Sequence, residues 1–364
     1  MVYKETKLLI NIKMQASKEN TSIKKILANR YTIISELGSG LSSKVFKVLD
    51  EKTGETKVAK IYEDNSSSIF VKEVQIFKML EGLNLSTNIK FYEAEFDDLI
   101  IDNKTTKKMY IIQEYGSKGC LFDALINTKS GFSEDVCKYI LLNLINCVDA
   151  LHKKGICHRD LKTENIVMVG DNYDFKLIDF GFAAKCVDSE NKPKKLKKSV
   201  GTAYYWAPEI LEGNSYDGIK ADIFSIGAIL FVLMTKNFGF AEDKVSNASS
   251  NIRNLLYKLI KVKRYDRYWE LLERYFNIRN LSPKFKNLYL KLVAYNPEER
   301  PTIEEIRQDE FLVDIVNSKE QCINKLREKM IKDIKFAQPW FYNFKKWNNN
   351  WTLYLIFFLV IISL

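Results

Sequence analysis

The sequence predicts an α+β fold of two lobes: a small antiparallel β-sheet lobe with one main helix, and a larger lobe that is mainly helical. Strand patterns that alternate apolar and polar residues follow one another between residues 31 and 61, joined by glycine-containing turns. Helical patterns dominate residues 137–153 and 252–315. At 364 residues, the chain is long enough for two domains or for one bilobal unit with extensions.

The composition excludes several classes of protein. Apolar residues make up 46% of the chain and charged residues 28%, which is typical of a globular protein rather than a disordered one. The six cysteines form no C-x-x-C pair and the chain has two histidines, so neither a zinc site nor a disulfide framework is expected. A reducing, cytoplasmic setting is therefore predicted.

The net charge of +10 is concentrated at the two ends of the chain. Residues 1–30 carry seven Lys/Arg and two Glu, residues 319–364 carry eight Lys/Arg and three Asp/Glu, and residues 31–318 hold 41 charges of each sign. Attraction to anionic lipid or to an acidic partner would therefore come from the ends. Lysines that are only solvated explain the excess equally well.

The first strand patterns surround a glycine-rich turn. Residues 31–37 alternate, Gly38 and Gly40 follow, and a second strand is predicted over 45–49. Two strands joined in this way can fold over phosphate oxygens, because glycine lets backbone N–H groups approach closely. Most glycine pairs of this spacing are only turns, so the motif is weak when taken alone.

The next elements complete the smaller lobe and begin the larger one. A strand is predicted over 56–61, a helix over 68–81 and a buried strand over 109–116. The helix predicted over 137–153 has a strong apolar face and is expected to pack beneath the loop that follows it.

The loop CHRDLKTENIV, residues 157–167, carries the strongest chemical signal. Asp160 and Asn165 lie five residues apart on a turn, close enough for both side chains to enter one cavity. The apolar strand 175–178 then ends at Asp179, which brings a second carboxylate beside the first. Two carboxylates and an amide, together with a lysine, form a hard-oxygen site for Mg²⁺ and for a hydroxyl nucleophile.

This loop resembles the catalytic loop H-R-D-L-x-x-x-N of the eukaryotic protein kinases, and residues 179–181 resemble their metal-binding D-F-G segment. The matches cover about residues 31–315, in the order that the family has. The resemblance implies a bilobal kinase fold and a serine/threonine protein kinase that transfers the γ-phosphate of Mg-ATP to protein hydroxyls, with Asp160 as the catalytic base. Lys162 and Thr202 resemble the serine/threonine kinases rather than the tyrosine kinases, and the stretch 201–209 is most similar to the calcium/calmodulin-dependent and calcium-dependent kinase group.

The resemblance also implies a role for each residue that matches a family motif. Lys60, paired with Glu73, is expected to bind the α- and β-phosphates, and Lys162 is expected to steady the transferred phosphoryl group. Asn165 and Asp179 are expected to bind Mg²⁺. The residues expected to bind ATP are Leu37, Gly38, Gly40, Val45, Ala59, Lys60, Glu114, Gly116 and Val167.

A further set of residues is implied to brace or regulate the site: Arg159, Ser199, Thr202, Glu209, Asp222 and Arg300. Glu209 and Arg300 are expected to form a buried ion pair. Asp222 is expected to bind the backbone near His158 and Arg159. These are structural roles that the family assigns.

Regulation is expected in the segment 179–209. In the family, Arg159 pairs with a phosphate in this segment, but here a lysine occupies the commonest acceptor position. Ser199 is the nearest candidate acceptor. The alternative is a built-in acidic partner, either Asp188 or Glu190.

Three features of the sequence limit what the resemblance implies. Cys120 and Val232 stand where kinases that prefer arginine upstream of the target have glutamate, so a strong preference for basic motifs is not expected. Lys60 and Glu73 are separated by a short linker, and Lys198 occupies the usual acceptor position. These features leave an alternative function, a pseudokinase that binds nucleotide and acts as a scaffold through protein interactions.

The two ends of the chain suggest partners besides protein substrates. The tail after residue 315 has apolar residues on one helical face and lysines on the other. This pattern is typical of a helix docked on the body, of a target for a calmodulin-like or acidic partner, or of a membrane-surface helix. Residues 351–364 are almost wholly apolar, but as a helix they would span about 21 Å against about 30 Å of hydrocarbon. Membrane association through this segment therefore stays an alternative.

These observations divide the chain into four parts. The parts are a basic extension over 1–30, a kinase domain over 31–315 with lobes 31–115 and 116–315, a basic amphipathic tail over 316–350, and an apolar segment over 351–364. Neither a nucleic-acid partner nor an oligomer is expected.

Overall fold

The computed structural model of the protein describes residues 25–40, 42–81, 87–102, 104–126, 128, 131–188, 190, 192–240, 249–276, 278, 280–313, 320–324 and 327. These residues group into two compact units. The first comprises the chain up to Gln75 together with Lys90–Tyr115, and the second comprises Ile76–Ile89 together with the chain from Gly116 onward. The apolar segment expected over 351–364 lies outside the described residues, as do most of the basic extension and tail.

The first unit is rich in strands. The described strands are β1 Ile26–Leu27, β2 Tyr31–Ser39, β3 Ser43–Asp50, β4 Thr56–Tyr62, β5 Phe91–Ile101 and β6 Lys104–Glu114. They form a closed antiparallel barrel in the order β1-β2-β3-β4-β6-β5, because β1 pairs with both β2 and β5. The predicted α+β fold, with an antiparallel strand-rich part and a mainly helical part, is confirmed.

Neither β1 nor β5 is among the strands predicted from the sequence. The strand β1 is two residues long and lies inside the stretch 1–30 that is predicted as an extension, so the sheet begins before Tyr31. The strand β5 carries four acidic side chains within its eleven residues, FYEAEFDDLII, and much of it is partly exposed. Its charges hide the alternation that would mark a strand.

Helix α1, Ser67–Leu80, is the main helix predicted over 68–81. A single 3-10 turn, Asp64–Ser66, connects it to β4. Glu73 lies near the middle of the helix and is fully buried. Because the connection is so short, the start of α1 stays close to the end of β4.

The second unit is mainly helical, as predicted. Its described helices are α2 Leu121–Ile126, α3 Glu134–His152, α4 Pro208–Leu211, α5 Gly218–Thr235, α6 Ser249–Lys261, α7 Tyr265–Phe276, α8 Pro283–Leu292, α9 Ile303–Arg307 and α10 Glu310–Val313. Short antiparallel strand pairs join its loops: β7 Ile156–Cys157 with β10 Ala184–Lys185, β8 Ile166–Val169 with β9 Asp174–Leu177, and β11 Lys195–Leu196 with β12 Tyr216–Asp217.

Helix α5 forms the centre of the second unit. Asp217 caps its start by accepting hydrogen bonds from the backbone nitrogens of Ile219 and Lys220. The helix is long and apolar enough to cross a membrane, but 72% of it is buried inside the protein, as in the core helix of a folded unit. Gly227 allows close packing on α8, because a Cβ atom there would lie 2.8 Å from the Cβ of Leu292.

The described part of the tail contacts the second unit. Cys322 is buried, and its thiol lies 3.3 Å from the carbonyl oxygen of Asp135. Arg327 donates a hydrogen bond of 3.0 Å to the carbonyl oxygen of Asp171, and its guanidinium lies over the ring of Tyr173. These contacts favour the docked arrangement among the alternatives for the start of the tail.

A buried carboxylate, Asp50, ties the strands of the barrel together. Arg30 donates two hydrogen bonds of 2.9 Å to its two oxygens, and Lys57 donates one of 2.6 Å. Arg30 also reaches Glu93 on β5 at 3.1 Å. The hydrogen bonds from the Arg30 guanidinium hold the pKa of Asp50 well below its usual range, against the opposing effect of burial.

We predict that Asp50→Asn lowers the free energy of unfolding by about 3–5 kcal/mol near neutral pH, because the buried ammonium of Lys57 loses its buried charge partner and keeps only the more distant, exposed Glu55. The pKa of Asp50 is depressed in the folded state, so its contribution is fully present above its unfolded pKa of about 4 and is lost as the pH falls below that value. Urea unfolding of wild type and Asp50→Asn between about pH 7 and about pH 3 measures the difference in their free energies of unfolding. Asp64→Asn, at an exposed ion pair, is the control. A difference between Asp50→Asn and wild type that does not shrink at low pH would contradict the prediction.

Candidate active site

The backbone of the loop after β7 is held by helix α5. Asp222, near the start of α5, is buried and accepts hydrogen bonds from the backbone nitrogens of His158 at 2.8 Å and Arg159 at 2.9 Å. The Nε2 atom of His152 lies 2.9 Å from the same carboxylate. The contact expected for Asp222 is therefore present, and His152 is a partner that the sequence did not suggest.

His158 connects this loop to the strand that precedes Asp179. Its Nε2 lies 3.1 Å from the carbonyl oxygen of Ile178, and its Nδ1 lies 3.3 Å from the backbone nitrogen of Asp160. A carbonyl only accepts and a backbone N–H only donates, so both bonds form together when the ring proton is on Nε2. The imidazole thus fixes the spacing between the two segments.

Asp160 lies at the centre of a closed hydrogen-bond network. Lys162 Nζ donates to its Oδ2 at 2.7 Å, and the hydroxyl of Thr202 donates to its Oδ1 at 2.8 Å. Lys162 also donates to the Thr202 hydroxyl at 2.9 Å. The amide nitrogen of Asn165 donates to Oδ2 at 3.1 Å and to the backbone oxygen of Asp160 at 2.9 Å. The buried carboxylate is therefore held in one orientation.

The bond from Thr202 depends on the glycine before it. Gly201 has φ +94°, and a Cβ atom there would lie 2.3 Å from the backbone oxygen of Arg159. Any other residue would push the segment away from the loop. The sequence named Thr202 as a regulatory residue, and the structure places it in direct contact with Asp160.

A backbone hydrogen bond from Ile178, the residue between β9 and Asp179, connects the segment that carries Asp179 to Asn165. The backbone nitrogen of Ile178 donates to the backbone oxygen of Asn165 at 3.0 Å. Asp179 itself has a left-handed φ of +62°, and Arg159 has one of +65°. Such conformations cost free energy in residues with a Cβ atom and persist where the surroundings hold them. Both residues follow segments that are fixed by hydrogen bonds.

The residues expected to bind Mg²⁺ have a suitable donor set. Because the amide nitrogen of Asn165 is engaged by Asp160, the amide oxygen points the opposite way and presents an acceptor. The carboxylate of Asp179 would supply the other hard oxygen ligand. Phe180, the next residue, is buried between the rings of Phe77 at 5.2 Å and His158 at 5.4 Å, which fixes the segment.

In the first unit, Lys60 and Glu73 form the predicted pair. Lys60 Nζ donates to both carboxylate oxygens of Glu73, at 2.9 and 2.8 Å. Both side chains are buried. The short linker between them is spanned by the 3-10 turn before α1, so the distance along the chain does not prevent the pairing.

The residues expected to bind ATP lie in both units. In the first unit, Ala59 is buried, Val45 pairs with Lys60 across the sheet, and Glu114 ends β6. Leu37 is exposed. The backbone nitrogen of Gly40 donates a hydrogen bond of 2.9 Å to the backbone oxygen of Ser43. Gly38 lies within β2.

In the second unit, Gly116 lies against Val167. A Cβ atom at Gly116 would be 2.8 Å from the Cβ of Val167, so glycine is needed for this approach.

Glu209 and Arg300 form a bidentate ion pair. The two terminal nitrogens of Arg300 donate to the two carboxylate oxygens of Glu209 at 2.6 and 2.7 Å. Arg300 is 1% exposed and also donates to the carbonyl oxygens of Ala294 and Lys220. The pair joins the end of the segment 179–209 to α5 and to the loop after α8.

Arg159 has partners other than those expected. Its Nε donates to the carbonyl oxygen of Phe182 at 2.6 Å, and its Nη1 lies 3.4 Å from the hydroxyl of Tyr216. That hydroxyl donates to the carbonyl oxygen of Lys198 at 3.0 Å. Ser199 donates to the carbonyl oxygen of Ile210 at 3.2 Å. A tyrosine that the sequence did not single out thus links Arg159 to the segment.

The built-in acidic partners proposed for Arg159 are a wrong interpretation. Asp188 accepts hydrogen bonds from the backbone nitrogens of Glu190 and Lys192, at 2.8 and 2.9 Å. Glu190 pairs with the side chain of Lys192. The Asp188 carboxylate therefore closes its own turn, and the Glu190 carboxylate is engaged by a lysine two residues away.

Cys120 and Val232, the positions where kinases that prefer arginine upstream of the target have glutamate, carry no negative charge. Burial, with the charge of Asp123, raises the pKa of the Cys120 thiol to about 12, so the thiol stays neutral. It donates to the carboxylate of Asp123 at 3.1 Å. Val232 is buried in α5.

Comparison with known proteins gives the following matches. Residues 31–312 match the family described as the protein kinase domain. The chain is 32% identical to serine/threonine-protein kinase kin-29 of Caenorhabditis elegans, over 82% of this chain and 32% of that protein. It is 32% identical to calcium-dependent protein kinase 5 of Plasmodium berghei, over 82% of this chain and 49% of that protein. It is 29% identical to CBL-interacting serine/threonine-protein kinase 15 of Arabidopsis thaliana, over 79% of this chain and 62% of that protein. The chain spans less than two thirds of the length of these relatives.

We predict that Glu209→Ala lowers the free energy of unfolding of the second unit by about 3–5 kcal/mol, because the buried guanidinium of Arg300 loses its charge partner. Urea unfolding of wild type and variant measures the loss. The matched control is Glu273→Ala, which breaks a half-exposed pair with Lys286 and should cost less than about 1 kcal/mol. Equal losses in the two variants would show that the buried pair does not brace this unit.

Proposed function

Because the chain belongs to the protein kinase family and the relatives it matches are serine/threonine kinases, we propose that it transfers the γ-phosphate of Mg-ATP to serine and threonine hydroxyls of proteins. The observation that carries this proposal is the network around Asp160. One buried carboxylate is held by a lysine, a threonine and an asparagine, so that it can act on a hydroxyl group in a defined direction.

Asp160 is the proposed catalytic base. A carboxylate in this position accepts the proton of the substrate hydroxyl, or aims the hydroxyl at the phosphorus. Lys162, 2.7 Å from Asp160, brings a positive charge to the place where negative charge develops on the transferred group. Asn165 and Thr202 hold the carboxylate, which reduces the reorganisation needed during the reaction.

The proposed Mg²⁺ ligands are the amide oxygen of Asn165 and the carboxylate of Asp179. When bound, Mg²⁺ neutralises charge on the phosphate oxygens of ATP. Lys60 is the proposed ligand of the α- and β-phosphates, and Glu73 keeps its ammonium in place.

The pseudokinase alternative finds no support in the described residues. Each catalytic position that the family needs holds the expected residue type: Lys60, Glu73, Asp160, Lys162, Asn165 and Asp179. The short linker, one of the two features that raised the alternative, does not separate Lys60 from Glu73, which are in contact. We therefore propose an active enzyme.

We predict that Asp160→Asn lowers kcat for phosphate transfer by about 10²–10⁴-fold, because an amide cannot accept the hydroxyl proton. Transfer of labelled γ-phosphate to a protein substrate measures the rate. Asp174→Asn, at an exposed aspartate of the same unit, is the control and should match wild type. Equal labelling by wild type and Asp160→Asn would overturn the assignment, and stabilisation of wild type by Mg-ATP without any transfer would support the pseudokinase instead.

A further inference from the structure

The Lys60–Glu73 pair has a third member, Tyr62. Its hydroxyl donates to Oε2 of Glu73 at 2.6 Å, the same oxygen that Lys60 Nζ approaches at 2.8 Å. Alternate residues of a strand point to the same face, so Lys60 and Tyr62 leave β4 together. Two side chains of one strand therefore hold one carboxylate of α1.

The ring of Tyr62 contacts α1 at a second point. It packs edge-on against Phe70, with ring centroids 5.2 Å apart and an interplanar angle of 72°. Phe70 and Glu73 are three residues apart and lie on the same face of the helix. A rotation of α1 would break the ring contact and the hydrogen bond together, so the two contacts set the orientation of the helix.

Burial strengthens the hydrogen bond between the Tyr62 hydroxyl and Glu73. Tyr62 is 1% exposed and Glu73 is 0% exposed, so water does not replace the bond readily. A hydrogen bond donated to a buried carboxylate is about twice as strong as one between neutral groups. The Nζ atom of Lys60 also lies 5.5 Å from the centre of the Tyr62 ring, within the range of a cation–π contact.

We propose that Tyr62 is a positioning residue that holds Glu73 against Lys60, so that the ammonium of Lys60 is already placed for phosphate oxygens before nucleotide binds. This inference rests on the proposed kinase function. Tyr62 acts through Glu73 and Lys60 and has no contact of its own with the reacting atoms in the proposed mechanism. Its contribution is therefore expected in the handling of ATP rather than of the protein substrate.

The test is Tyr62→Phe, which removes the hydroxyl and keeps the ring. The matched control is Tyr110→Phe, since Tyr110 is also buried in the barrel and its hydroxyl lies 3.3 Å from a carboxylate, Glu93, outside the proposed site. We expect kcat/KM for ATP to fall about tenfold in Tyr62→Phe, with a higher KM for ATP and an unchanged KM for the protein substrate. Tyr110→Phe should keep wild-type values.

A purely structural role gives a different result. Loss of folded protein lowers kcat and leaves both KM values unchanged, because fewer molecules are active and each one binds normally. That pattern, or wild-type kinetics in Tyr62→Phe, would overturn the inference.

Backbone hydrogen exchange over α1 provides a measurement that does not depend on enzymatic activity. Exchange should be faster in Tyr62→Phe than in wild type or Tyr110→Phe, since the helix loses one of its attachments. Equal exchange in all three proteins would overturn the positioning role. A wild-type protein that transfers no phosphate would overturn the proposed function instead, and the exchange comparison would still decide the role of Tyr62.

Discussion

The carboxylate of Asp222 is the contact on which the candidate site of the second unit depends. It lies on α5, the most deeply buried helix of that unit, and accepts hydrogen bonds from two consecutive N–H groups of the loop that carries Asp160. An anchored loop can hold Arg159 in a left-handed conformation that a free loop would leave. The position of Asp160 follows from this strained turn, and the bonds from Lys162 and Thr202 then fix its side chain.

Buried carboxylates organise the structure at several other points. Asp50 joins strands of the barrel, Glu73 joins α1 to β4, and Glu209 joins the segment 179–209 to the loop after α8. Each is satisfied by a cationic side chain, because a buried carboxylate without a partner costs several kcal/mol. The same chemistry that stabilises the units therefore places the groups proposed to act in phosphate transfer.

Much of the fold and site could be predicted, because short motifs with fixed spacing carry it. The loop around Asp160 and the strand ending at Asp179 follow from such motifs, and the pairing of Glu209 with Arg300 follows from the family that these motifs resemble. The strands β1 and β5 could not be predicted in the same way, since one is too short and the other too charged to show a pattern. The sheet pairing of β5 with β6 determines its conformation, and that pairing is a tertiary property.

Contacts between distant residues that no family motif includes escaped prediction for a related reason. The bonds from Thr202 to Asp160 and from Tyr62 to Glu73 join different elements, and no local pattern reports them. The alternative that pairs Asp188 with Arg159 failed because it considered charge alone and not the N–H groups of the turn that Asp188 itself closes. Neighbouring backbone donors compete with distant cations for every loop carboxylate.

The most direct test of the account is the variant Asp222→Asn, examined by backbone hydrogen exchange together with the rate of phosphate transfer. The amide keeps the size of the side chain but turns an NH₂ group toward an N–H donor of the loop. If Asp222 holds the loop, exchange at the amides of His158 and Arg159 should be at least about tenfold faster than in wild type, with a comparable loss of rate, while the rest of α5 stays protected. Unchanged exchange and an unchanged rate would contradict the claim that Asp222 holds the site in place.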